Sequence, residues 1–162
     1  MKLIILIFSL LNWTCLYANS HHVRVALTNS EQTQIGSVDF EDTTYGLLIT
    51  PYLSGLPTGI HGFHIHMHPN CEEHGMGAGG HFDPDLTNTH LGPYGQGHLG
   101  DLPALVVNEK GEATLPQLAP RLKTTDLSGH ALMIHTGGDT YRDVPPLGGG
   151  GARLACGVIP NK

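Results

Sequence analysis

The chain has 162 residues, a formal net charge of −6 and only 14% charged residues, so it offers no broad positive field and nucleic acid is excluded as an expected partner. That length suits one domain around a single core, and no second domain is needed. Twelve histidines and 22 glycines stand out instead, and histidine at that density in a small chain asks for a metal.

In chain order, Met1 and Lys2 precede an apolar stretch from Leu3 to Leu11, the charged start and short apolar core of a secretory signal peptide. Leu16-Tyr17-Ala18 ends it on a small residue suited to cleavage. A membrane anchor is the alternative, but the run falls short of the roughly 18 to 20 residues that span a bilayer. A lipidated Cys15 is another, although Asn12-Trp13-Thr14 is a poor approach to such a site. The expected organisation is therefore a signal peptide over 1–18 and one domain over 19–162, with no membrane contact after removal of the leader.

Loss of the leader takes Cys15 and leaves Cys71 and Cys156 as an even pair in an exported protein, where a disulfide is the default. Closing a loop of about 85 residues would stabilise the fold by roughly 4 to 5 kcal/mol on the chain-entropy model. Two free thiols serving as metal ligands are the alternative. A mature start at Asn19-Ser20-His21 would also gather a free amine, two backbone amides and the His21 imidazole into a square-planar copper(II) pocket. His21 and His22 leading into the first strand is the plainer reading.

Strand-like stretches follow at 23–28, 34–40, 45–53, 60–66, 104–107, 112–115, 130–134 and 154–158. Their β-branched and aromatic content, and alternation such as Val23-Arg24-Val25, predict an antiparallel β-sandwich or barrel. No long window has helical periodicity. Two Gly-, Pro- and Asp-rich loops, at about 67–103 and 136–153, the first also rich in His, are too long to be mere connectors, and such loops on a compact β-scaffold are usually functional.

His64-Ile65-His66 on a strand puts both imidazoles on one face, about 7 Å apart at the backbone. Alone, His-x-His is a weak signal, more often surface decoration than a site. Its company gives it weight: His81, His90, His98 and Asp101 follow in the first long loop, and His135 closes a later strand. Six histidines and a carboxylate without cysteine suit zinc and copper(II), not calcium, magnesium or an iron–sulfur cluster. If one imidazole is shared, these residues make two four-coordinate sites, four nitrogens for copper and three nitrogens plus an oxygen for zinc. The arithmetic does not say which imidazole is shared.

The stretches GIHGFHIH (59–66), GGHFDP (79–84), HLGPYGQGHLGDLP (90–103), GHALMIHTGGD (129–139) and GGGGARLACGVI (148–159) resemble, in family order, the copper/zinc superoxide dismutases, most closely their bacterial periplasmic branch. The resemblance implies an eight-stranded Greek-key β-barrel, an immunoglobulin-like sandwich, with two long functional loops. It implies copper on His64, His66, His81 and His135, and zinc on His81, His90, His98 and Asp101, with His81 shared. It further implies a Cys71–Cys156 disulfide, Arg153 beside the copper, and Asp139 hydrogen-bonding a ligand of each metal. The activity implied is conversion of superoxide to dioxygen and hydrogen peroxide by cycling copper(II)/copper(I), in the periplasm, where it protects the cell envelope. The motifs do not choose between a monomer and a homodimer. His61 and His130 are expected to bond backbone carbonyls within the barrel. His68 and His74, in a segment that departs from the family pattern, are expected in a solvated loop, with a transient copper-loading pair as the alternative. Lys123 and Arg142 are candidates for outer steering of the anion.

Overall fold

The computed structural model describes residues 22–161. The predicted leader and the Asn19-Ser20-His21 copper pocket lie outside these residues. Among the described residues there are nine strands: β1 (His22–Asn29), β2 (Gln34–Thr43), β3 (Gly46–Leu53), β4 (Gly59–His61), β5 (Phe63–His66), β6 (Leu105–Val107), β7 (Gln117–Ala119), β8 (Ala131–His135) and β9 (Arg153–Val158). Seven form one antiparallel sheet in the order β5-β8-β9-β1-β2-β3-β7, and β4 pairs with β6. Because β4 runs into β5 through Gly62, the two sheets share a strand line and the whole curls into a barrel. Among the described residues no helix is long and apolar enough to cross a membrane.

Alternation sets the inside of the barrel. In β1, Val23, Val25 and Leu27 are buried while Arg24 and Ala26 face away, and Val25 pairs with Val38 and Val23 with Phe40 on β2. Phe40, Phe63, Leu47, Ile49 and Ile65 are fully buried in the same cluster.

β5 and β8 differ, being buried on both faces. Phe63, Ile65, Leu132 and Ile134 enter the barrel core. The opposite face of β8 carries Ala131 and Met133 into a second, smaller cluster with Ala78 and Cys156, against which Cys71 packs. The long loops therefore form a second layer over this side of the barrel. Cys71 and Cys156 are joined, with Cα atoms 5.8 Å apart and a sequence separation of 85, which fastens that layer to β9.

Two strand expectations shift. The single strand predicted at 60–66 is broken at Gly62, whose N–H donates to the Gly137 carbonyl and whose carbonyl accepts from the His135 N–H, so the second long loop claims this peptide. The strand predicted at 112–115 is only a bridge between Ala113 and Leu53. There the Asn108 side chain accepts from the N–H groups of Lys110 and Glu112 and holds a turn, and pairing with β3 passes to Gln117–Ala119.

Candidate metal centre

Period two on β5 turns His64 and His66 to the outer face, where the second layer buries them to 0% and 1% exposure. The first loop folds back along β5 to do this: the Phe82 N–H donates to the Ile65 carbonyl, the Ile65 N–H to Gly100 and the Leu102 N–H to Phe63. These contacts bridge His66 to His81 and His64 to Asp101. His135 arrives at the end of β8. The sheet thus supplies three imidazoles, and the loop supplies His81, His90, His98 and Asp101.

Four imidazoles of this cluster, those of His64, His66, His90 and His135, each turn one ring nitrogen outward to a protein acceptor, and that fixes their tautomers. The His64 Nε2–H donates to Asp139 Oδ2 at 2.8 Å and the His90 Nε2–H to Asp139 Oδ1 at 2.7 Å. The His66 Nδ1–H donates to the Gly79 carbonyl at 2.9 Å and the His135 Nδ1–H to the Gly151 carbonyl at 3.2 Å. The remaining nitrogens turn inward. His64 Nδ1, His90 Nδ1 and His98 Nδ1 are buried without a hydrogen-bond partner, and the Nε2 atoms of His66 and His135 face each other at 3.3 Å. Buried polar atoms normally find a partner. Inward-facing imidazole lone pairs of this kind fit borderline divalent cations such as zinc and copper(II).

Two overlapping groups of donor atoms lie within 4.8 Å of one another: His64, His66, His81 and His135, and His64, His81, His90 and Asp101. His81 belongs to both, with its ring stacked on His64 at 3.9 Å and its Nδ1–H donating to Asp101 Oδ1 at 2.9 Å. His98 stands just outside the second group; its Nδ1 is 3.4 Å from Asp101 Oδ1. Asp101 Oδ2 lies 2.9 Å from His90 Nδ1 and accepts the Gly92 N–H.

The two sides differ electrostatically. Burial, helped by the charge of neighbouring imidazoles, pushes His64 down to about 3, His66 to about 2 and His135 to about 4, and lowers His81 as well. These rings are neutral at pH 7, the form that ligates a metal. Burial also disfavours charge on His90, but Asp101 and Asp139 outweigh it and raise this ring to about 9. Burial likewise opposes ionisation of Asp101 and Asp139, yet their hydrogen bonds with His81, His90 and His64 hold both carboxyls far below the usual range.

Asp139 therefore spans the cluster, touching one sheet-borne and one loop-borne imidazole. A glycine makes room for it. A Cβ on Gly148 would come within 2.2 Å of Asp139 Oδ1 and 2.7 Å of His90 Nε2, at a backbone φ of +73° that other residues seldom adopt. The sequence gives no sign of two further braces: the Asp143 side chain accepts the His90 N–H, and the Tyr141 hydroxyl accepts the Ala104 N–H while the Tyr141 N–H donates to Asp139.

Arg153 donates through Nη1 to the Gly75 carbonyl and through Nη2 to that of Gly79, the same oxygen that takes the His66 proton. Burial lowers its pKa. His61 sets its two ring nitrogens 2.8 Å from the carbonyls of His135 and Pro57, and His130 Nδ1 lies 2.9 Å from that of Met67. His68, His74, Lys123 and Arg142 are exposed.

A family model described as copper/zinc superoxide dismutase (SODC) matches residues 34–159. The chain is 53% identical over 156 residues to a copper-zinc superoxide dismutase of Legionella pneumophila, covering 96% of each, and 54% identical over 145 residues to copper-zinc superoxide dismutase 1 of Salmonella typhimurium, covering 83% and 82%. Among solved structures, the copper/zinc superoxide dismutase from Brucella abortus matches with a TM-score of 0.82 at 41% identity, over 86% of this chain and all (100%) of that one. The monomeric copper, zinc superoxide dismutase from Salmonella enterica matches with a TM-score of 0.74 at 49% identity, with the same coverage.

Proposed function

Because the chain belongs to the copper/zinc superoxide dismutase family, we propose that His64, His66, His81 and His135 hold its copper, and that His81, His90, His98 and Asp101 hold its zinc. The protein is an oxidoreductase acting on superoxide, with copper and zinc as its metals. The assignment of ligands rests on one observation above all, the two overlapping groups of buried donor atoms that meet at His81, with His98 beside the second.

Bound there, copper would supply the one-electron redox chemistry and zinc fixed positive charge. The chain's own part is positional and electrostatic. His81 would give Nδ1, which lies 2.9 Å from Asp101 Oδ1, to the zinc side and keep Nε2 as a place to hold and return a proton. Arg153 draws the superoxide anion toward the copper side and orients it, against a formal charge that is negative over the whole chain. In net reaction, two superoxides and two protons give dioxygen and hydrogen peroxide.

The apolar start of the sequence and the disulfide both favour an oxidising, extracytoplasmic compartment. The reading is therefore a periplasmic enzyme, freed of residues 1–18, that protects the cell envelope. The decisive test is metal content of the purified mature protein with dismutation assayed before and after chelation and after copper is restored. Copper-dependent activity with both metals bound is expected. Activity that persists without copper, or two metals at sites that share no histidine, overturns the assignment.

A further inference from the structure

We propose that Arg121, on the connection after β7, is a positioning residue that holds His98 against the zinc side of the centre. This rests on the reading above that His98 is a zinc ligand. The guanidinium donates through Nη2 to the Gly97 carbonyl at 2.8 Å and through Nη1 to the His98 carbonyl at 3.3 Å. Among the described residues it has no carboxylate partner within ion-pair distance, so its charge is directed at these two oxygens.

His98 needs such a hold more than the other donors do. His64 and His66 are fixed by strand pairing, and His90 by Asp143 and Asp139. His98 sits in no strand, makes no side-chain hydrogen bond, and its inward Nδ1 is one of the unpartnered atoms. What fixes it is its backbone: the N–H donates to the Thr89 carbonyl at 2.9 Å, and the carbonyl accepts from Arg121 at 3.3 Å and, at 3.5 Å, from the Asp101 N–H within the same loop. Gly97 lets these strands of the loop close together, since a Cβ there would lie 2.3 Å from the Thr89 oxygen. Arg121 therefore joins the open end of the zinc loop to the barrel through a planar fork that matches two successive carbonyls, which a lysine cannot reproduce.

The test compares Arg121→Ala, Arg121→Lys and His98→Ala in the full mature protein. Zinc release to a chromophoric chelator is timed, the visible spectrum of cobalt(II) placed in the zinc site is recorded, and copper retention and the melting temperature of the metal-free protein are measured alongside. Arg121→Ala is expected to release zinc about 10 to 100 times faster, as for other groups that orient a metal ligand, and to alter the cobalt spectrum. Copper retention and the metal-free melting temperature should change little, and Arg121→Lys should recover part of the loss. If His98→Ala releases zinc quickly while Arg121→Ala behaves as the parent, the positioning role is overturned and the ligand assignment stands. If His98→Ala itself leaves zinc binding intact, the ligand assignment fails and the proposal with it. A uniform drop in melting temperature with unchanged zinc release also overturns the proposal, by making Arg121 a general support of the fold.

Discussion

The two halves of the centre are held by different forces. His64, His66 and His135 sit on β5 and β8, where sheet register and burial on both faces fix them, and they are kept neutral with no carboxylate among them except the reach of Asp139. His81, His90, His98 and Asp101 sit on a loop, and charge-assisted contacts with Asp101 and Asp139 do what strand pairing does on the other side. The sheet-borne half should exist before any metal arrives, while the loop-borne half depends on its carboxylates and, on the assignment proposed above, on a bound zinc.

The sharpest way to break that comparison is Asp101→Asn. It removes a buried charge that faces three imidazoles, and losing one partner of a buried pair costs about 3 to 5 kcal/mol, or a roughly 10²- to 4 × 10³-fold fall in zinc affinity. Competition with a chelator should show this fall while copper binds nearly as before. Equal loss of both metals would mean that the halves are not separately supported.

Asp139→Asn comes next. It weakens both a sheet-borne and a loop-borne imidazole, but His64 keeps its strand, so zinc affinity should drop about 10- to 100-fold and copper affinity by less. Gly148→Ala reaches the same pair by crowding, and calorimetric titration of both variants should give the same ranking of the metals. Arg153→Ile belongs to the sheet-borne side. About a tenfold loss of turnover at low salt is expected with both metals retained, and undiminished activity by pulse radiolysis would remove the arginine from anion guidance.

The smallest effect concerns pH and the metal-free protein. His90 is raised from 6.5 to about 9, so its contribution is complete below pH 6.5 and fades as pH climbs through 9. His64 and His135 are lowered from 6.5 to about 3 and about 4, so the unfolded chain takes up protons first and stability falls as pH drops below 6.5. Melting temperatures should decline by a few degrees in each direction, the acid limb tracing the sheet-borne half and the alkaline limb the loop-borne half. Abolition of the alkaline decline alone by Asp139→Asn would tie it to His90.

Much of this was legible in the sequence, for identifiable reasons. The alternation Val23-Val25-Leu27 announces a strand because one face meets the core, and His64-Ile65-His66 keeps the same period on the other face. The donors could be listed because histidine and aspartate carry their chemistry in the side chain. The break at Gly62 could not be seen, since it arises from a loop peptide more than seventy residues away. Nor could Arg121, Asp143 or the joint use of the Gly79 carbonyl, because backbone groups leave no mark on a sequence. The segment 112–115 is expected as a strand, but the Asn108 turn takes its first residue, Glu112, and only Ala113 pairs with Leu53.

The Gly79 carbonyl, which accepts hydrogen bonds from both His66 and Arg153, makes the loop from Cys71 to Gly80 a template written in main chain. Its outward side chains, Glu72, Glu73, His74 and Met76, are exposed and can be exchanged for dyes, tags or solubilising groups. Glu73 and His74 lie at φ +53° and +55°, so asparagine or glycine are the replacements of choice there. Lengthening the loop is another matter: one added residue would displace imidazole and guanidinium together, so redesign of this rim is free in composition and fixed in length.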